Sequence, residues 1–99
     1  MPDDIELQKQ VNRGVQAKLL LENSLLTEAF ASLESEYANA LFMTKLEDQP
    51  AREKFYLAFN VVGKVRNHLT MMVQNGHVAA TELKSLTADA ERKKKFGIL

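Results

Sequence analysis

His68 and His77 are the two histidines of the chain, and neither has a glutamate three residues before it, because Val65 and Gln74 hold those positions. The Glu-x-x-His pairs with which helical bundles hold two metal ions are therefore missing from the sequence. Glu34 and Glu36 stand two residues apart. On a helix they point to different sides, so a carboxylate pair for acid–base work would have to be assembled from separate helices. Gly63-Lys64 lacks the upstream glycine and the following Ser or Thr of a phosphate loop, and it reads instead as a close contact between helices or as chance. Ser24, Ser32, Ser35 and Ser85 have no acid and histidine at a spacing that would mark a nucleophile. With no cysteine, thiol chemistry and Cys-based zinc sites are excluded. The expectation is a protein that is no enzyme and carries neither metal nor cofactor.

The elements that must position these residues are few. A chain of 99 residues has room for one domain, 1–99, and a composition 45% hydrophobic and 26% charged is that of ordinary globular proteins. Domains this small bury only about 60–65% of the surface that the unfolded chain exposes, so a lone copy is marginal unless something else covers its apolar area. Thirteen basic and thirteen acidic residues cancel, which disfavours polyanion binding over the whole molecule while leaving room for a local basic patch. The acidic stretch Met1-Pro2-Asp3-Asp4-Ile5-Glu6 is unlike a secretory leader, and no run approaches 18 apolar residues. An intracellular protein without membrane contact is expected.

Two prolines and four glycines punctuate the chain so sparsely that long helices are favoured over short strands. Leu26, Phe30, Leu33, Tyr37, Ala40 and Thr44 follow a 4-3-4-3-4 spacing that places one stripe along a helix over about 24–46. Asn23 and Ser24 can accept hydrogen bonds from its first-turn amides. After the break at Glu47-Asp48-Gln49-Pro50, Phe55, Ala58, Val62, Val65, Leu69 and Met72 repeat at 3-4-3-4-3. This predicts a second helix over about 50–75, ended by Asn75-Gly76 as a left-handed cap. Met71 and Met72 read as gap-filling residues at the end of that stripe. The expected fold is all-α, an antiparallel helical hairpin completed into a bundle by self-association. Charge agrees with the pairing. Residues 22–48 hold six carboxylates against one lysine, and residues 52–75 hold four cations against one glutamate.

Shorter helices are expected on either side. Residues 4–21 carry Leu7, Val11, Val15, Leu19 and Leu20 in helical spacing around Gly14, a glycine that costs about 1 kcal/mol relative to alanine. Residues 79–95 carry Leu83, Leu86 and Ala90 before a run of charge, and Phe96-Gly97-Ile98-Leu99 are expected to fray or to dock on a partner.

The hairpin leaves apolar surface to spare near its bend. Phe55-Tyr56-Leu57-Ala58-Phe59, Val61 and Val62 are apolar almost all the way round, and Leu41, Phe42, Met43 and Leu46 lie beside them once the chain folds back. Leu41, Phe42, Phe55, Leu57, Phe59, Val61 and Val62 are thus the expected self-association residues of a dimer or ring. Lys64, Arg66 and the run Arg92, Lys93, Lys94, Lys95 are the candidates for contact with nucleic acid or an acidic protein, and His68 extends that strip only when protonated.

Two stretches, Glu22-Asn-Ser-Leu-Leu-Thr-Glu-Ala-Phe-Ala-Ser-Leu-Glu-Ser-Glu-Tyr37 and Ala51-Arg-Glu-Lys-Phe-Tyr-Leu-Ala-Phe-Asn-Val-Val-Gly-Lys-Val-Arg-Asn-His-Leu69, resemble small helical proteins encoded by tailed bacteriophages close to packaging and capsid genes. The resemblance covers residues 22 to about 83, with Ser24 standing where such proteins often have proline. It implies a role in phage assembly, in the host cytoplasm or the virion, with phage structural or packaging proteins as further partners and no catalytic residue. The leading expectation is a non-enzymatic, oligomerising interaction protein accessory to virion assembly or DNA packaging. The alternative is a nucleic-acid-binding protein, small terminase-like or regulatory, using Lys64, Arg66 and the basic run. A host-directed inhibitor that imitates nucleic acid with Glu28, Glu34 and Glu36 is a third reading.

Overall fold

The computed structural model describes residues 4–95, with the side chains up to Lys93, and among them every regular element is helical: α1 (Asp4–Glu22), α2 (Ser24–Met43) and α3 (Gln49–Lys95). The expected all-α class holds. Phe96-Gly97-Ile98-Leu99 lie outside the described residues, as do the side chains of Lys94 and Lys95.

Local chemistry sets the breaks. Asn23 takes an extended conformation (ψ 116°), and its side-chain oxygen accepts from the Leu26 amide at 2.9 Å, so it is the cap that starts α2. Thr44, also extended, ends α2 three residues before the expected limit of 46; its amide donates to Leu41 O at 3.3 Å and its hydroxyl to Ala40 O at 2.7 Å. Asp48 then caps α3 through Oδ1, which accepts from the Ala51 amide at 3.3 Å. Pro50 falls in the first turn, where an amide would have no helical partner. Arg52 ties the connection down by donating from Nη1 to the carbonyls of Lys45, at 3.0 Å, and Leu46.

One boundary is corrected. Asn75-Gly76 does not cap a helix, and residues 79–95 are not a separate one, because α3 runs from Gln49 to Lys95. The chain's close contacts fall into two units, one joining the residues up to Lys18 with those from Met71 onward, the other covering Leu19–Thr70.

The first unit explains the missing break. A Cβ added to Gly76 would lie 2.9 Å from Gly14 Cα and 3.2 Å from Gln10 O, and one added to Gly14 would lie 2.9 Å from Gly76 Cα. The two glycines let α1 and α3 meet backbone to backbone, so Gly76 is present for close approach and not for a left-handed turn. Leu7, Ala17 and Ala79 are the buried hydrophobic residues beside them. The covered face of α1 is Leu7, Val11, Gly14, Ala17 and Leu21, whereas Val15, Leu19 and Leu20, expected on the apolar stripe, are exposed. Leu7 and Val11 are covered as expected, and beyond them the covered face follows the small residues Gly14 and Ala17 that make the contact.

In the second unit, Leu26, Phe30, Tyr37, Ala40 and Thr44 of α2 are half-buried as their spacing predicts, as are Phe55, Ala58, Val62 and Leu69 of α3. Leu33 and Val65 depart from the pattern. Leu33 is 38% exposed. Val65 is 48% exposed, and Arg66 is half-buried in its stead, with its guanidinium 5.4 Å from the centre of the Phe30 ring and 3.3 Å from the Glu34 carboxylate. The aliphatic stem of arginine covers apolar surface while its head reaches the carboxylate, so residue 66 turns inward and residue 65 turns out.

Gly63 is also unlike its expected role, since nothing lies within 4 Å of where its Cβ would be. Replacing it with alanine removes a helix-interior glycine without a clash, and Gly63→Ala should stabilise the protein by about 0.5–1 kcal/mol, read from the midpoint of urea unfolding. Among the described residues, no helix is long and apolar enough to cross a membrane.

Candidate functional site

The residues expected to carry self-association all lie in the second unit, on α2 and the first part of α3. Phe42 at the end of α2 is 89% exposed, and Leu57, Phe59 and Val61 on α3 are exposed too, Leu57 to 64%. Leu41, Phe55 and Val62 are half-buried. Met43, Leu46 and Tyr56 add further exposed apolar side chains within the same unit. Met71, in the first unit, is exposed as well, in contrast to the core position expected for it, whereas Met72 is half-buried.

Among the described residues much apolar side-chain surface is uncovered, with Phe42, Met43 and Leu46 each at least 80% exposed. Among the described residues the fully buried hydrophobic side chains are Leu7, Ala17 and Ala79, two of them alanines, and the remaining apolar contacts are made by half-buried residues.

The basic candidates are in different circumstances. Lys64 is exposed. Arg66 is engaged with Glu34 and Phe30, and Arg92 donates to Asp89 at 2.7 Å one turn before it. Lys93 is exposed, while the Lys94 and Lys95 side chains lie outside the described set. The Arg66–Glu34 pair is partly open to water, so screening keeps its share below about 1 kcal/mol, and the ring contact adds a comparable amount. Arg66→Ala is therefore expected to lower the unfolding free energy by roughly 1 kcal/mol, and Arg66→Lys, which keeps charge but loses the planar contact, by about half of that. Thermal melts of the three proteins at two salt concentrations check this, with the difference shrinking at high salt.

The described surface includes a groove in each unit. In the first unit a groove of about 210 Å³ runs beside the glycine contact, between Val11, Val15 and Lys18 of α1 and Val73, His77 and Ala80 of α3. It is smaller than the roughly 300–1,000 Å³ of small-molecule sites. In the second unit an open groove of about 390 Å³ lies along one face of α3, lined by Val61, Lys64, Val65, His68 and Leu69. Lys64 and His68 do share a face, as their spacing of one turn predicts, and sequence reading missed that Val65 joins them there. Among the described residues, no three His, Cys, Asp or Glu side chains are placed to hold a metal ion.

Comparison with protein-family models, with characterised proteins and with solved structures finds no match for the chain.

Proposed function

We propose that this protein is a non-enzymatic, self-associating helical protein, accessory to virion assembly or DNA packaging in a tailed phage. The observation that carries the self-association is the uncovered apolar surface. Phe42, Leu57 and Val61 are large apolar side chains left exposed within one unit, as at interaction surfaces. The phage setting rests on the resemblance of residues 22–83.

The nucleic-acid reading has less support. Arg66 and Arg92, two of its six cations, already pair with carboxylates, and salt-dependent duplex binding needs free cations to displace counterions. Sedimentation equilibrium, together with mass spectrometry of purified particles, tests the proposal. The expected result is a mass at a multiple of 11.2 kDa and the chain's peptides in the particle. A monomer at all concentrations overturns the self-association, and duplex binding that weakens steeply with salt would favour the alternative.

A further inference from the structure

Asn75-Gly76 is the one place in the chain where a glycine follows an asparagine. Such a pair is chemically labile, because glycine has no side chain to shield its nitrogen and leaves the backbone free to turn. The Gly76 nitrogen can bond to Asn75 Cγ, losing its proton while the side-chain nitrogen leaves as ammonia. Water then opens the resulting five-membered imide at one of its two carbonyls. One opening gives aspartate. The other gives isoaspartate, in which the main chain runs through the former side chain and is longer by a methylene. In α3 the water side of this chemistry is open and the backbone side is closed, since Asn75 is exposed whereas Gly76 is buried within the helix. Ring closure must eclipse the Gly76 nitrogen with Asn75 Cβ, a rotation far from the helical ψ of about −42°. A helical amide at position 76 is also committed to the carbonyl of residue 72. We infer that Asn75 is a latent modification site, kept unreactive by the packing of α1 on α3 and converted to aspartate or isoaspartate when the first unit opens.

Local preference does not hold α3 helical at this point. Asparagine and glycine are weak helix formers, and together they favour a left-handed turn. What opposes the turn is the glycine contact, in which the main chain of Gly14 stands so close that a Cβ on Gly76 would lie 2.9 Å from Gly14 Cα, with Leu7, Ala17 and Ala79 buried beside it. Once α1 departs, the pair can take the turn that its sequence prefers, and the Gly76 nitrogen is released to react. The rate then follows the population of the open form. The product acts back on the fold. An added methylene one residue before the contact shifts everything beyond it along the helix, so Gly76 and Ala79 cannot both regain their buried places and the opening becomes irreversible. This concerns the first unit alone and does not depend on self-association.

Incubation of the full chain at mildly alkaline pH, followed by peptide mapping with isoaspartate detection, tests the inference. The parent should convert at Asn75 slowly when native and at least about 10-fold faster in denaturing urea. Gly14→Leu drives a side chain against the Gly76 main chain while leaving the reactive pair intact, and it should raise the native rate by about 10-fold or more, with Gly14→Ala giving a smaller rise. Conversion at Asn23, which precedes Ser24 and lies in the second unit, should stay unchanged in both variants. Asn75→Gln, whose ring would have to be larger, should abolish the product. Circular dichroism checks helix content, and if Gly14→Leu loses it, Gly14→Ala carries the comparison. A native parent that converts as fast as in urea overturns protection by the helix. Equal native rates in the parent and the Gly14 variants, or a parallel rise at Asn23, overturn control by the α1 contact.

Discussion

Gly76→Ala is expected to destabilise the protein, although the same substitution at Gly63 stabilises it. In isolation, alanine in a helix interior is favoured over glycine by about 1 kcal/mol, and α3 is helical through both positions. What separates them is the surroundings. At Gly63 the new methyl enters open space, whereas at Gly76 it meets Gly14 Cα at 2.9 Å. The obstacle is main chain, which has no rotamer to escape into, so α1 and α3 must move apart and the burial of Leu7, Ala17 and Ala79 is lost with the contact. Overpacking of this kind costs about 1–3 kcal/mol, enough to reverse the propensity gain. Gly76→Leu should go further, releasing α1 to protease.

Gly14→Ala should behave like Gly76→Ala, and the double variant should cost less than the two singles together, because the first methyl already separates the helices that the second would push. Urea unfolding of the four proteins in the cycle measures this. Stabilisation by Gly76→Ala equal to that by Gly63→Ala would show that the two helices do not meet at these glycines.

The second large effect concerns association. Val61→Asp alters a side chain that is 49% exposed in the single chain, so helix content and local stability should change by no more than about 0.5 kcal/mol. Among self-association residues, however, a carboxylate must be desolvated against apolar side chains. Loss of an anchor typically costs about 2 kcal/mol or more, so the dissociation constant should rise at least about 30-fold, with Leu57→Asp behaving alike. Val15→Asp is the control. Val15 is comparably exposed but lies in the other unit, away from the proposed self-association residues, so its dissociation constant should stay within about threefold of the parent. Sedimentation velocity over a dilution series reads all three. Equal weakening by Val15→Asp would indicate adhesion through apolar surface in general instead of through these residues.

Helical class, the Asn23 cap and the position of the loop were legible in the sequence because each has a local cause. The Asn23 side chain serves a first-turn amide, and Pro50 fits only where an amide is dispensable. The continuation of α3 was hidden because glycine has two uses, and Asn-Gly looks like a cap when its tertiary partner is unknown. A signal was nevertheless present. Met72, Gly76, Ala79, Leu83 and Leu86 keep the 4-3-4-3 period without interruption, and Leu7, Val11, Gly14 and Ala17 keep a similar one, provided that small residues are counted as members of the stripe. The inward turn of Arg66 was not legible, because it depends on a ring and a carboxylate of another helix. That turn also hid part of the candidate site. Val65, placed in the seam by spacing, joins Val61, Lys64 and His68 around the groove instead.

A protein whose folding is coupled to self-association must melt at a temperature that rises with its concentration. For a chain that folds as a dimer, a 100-fold increase in concentration adds about 2.7 kcal/mol per dimer, or roughly half of that per chain, which for a domain near 100 residues raises Tm by about 5–10 °C. The parent protein should show that rise and Val61→Asp a smaller one. A sharp melt whose midpoint stays fixed across the same range, in a protein that sediments at 11.2 kDa throughout, would contradict that coupling.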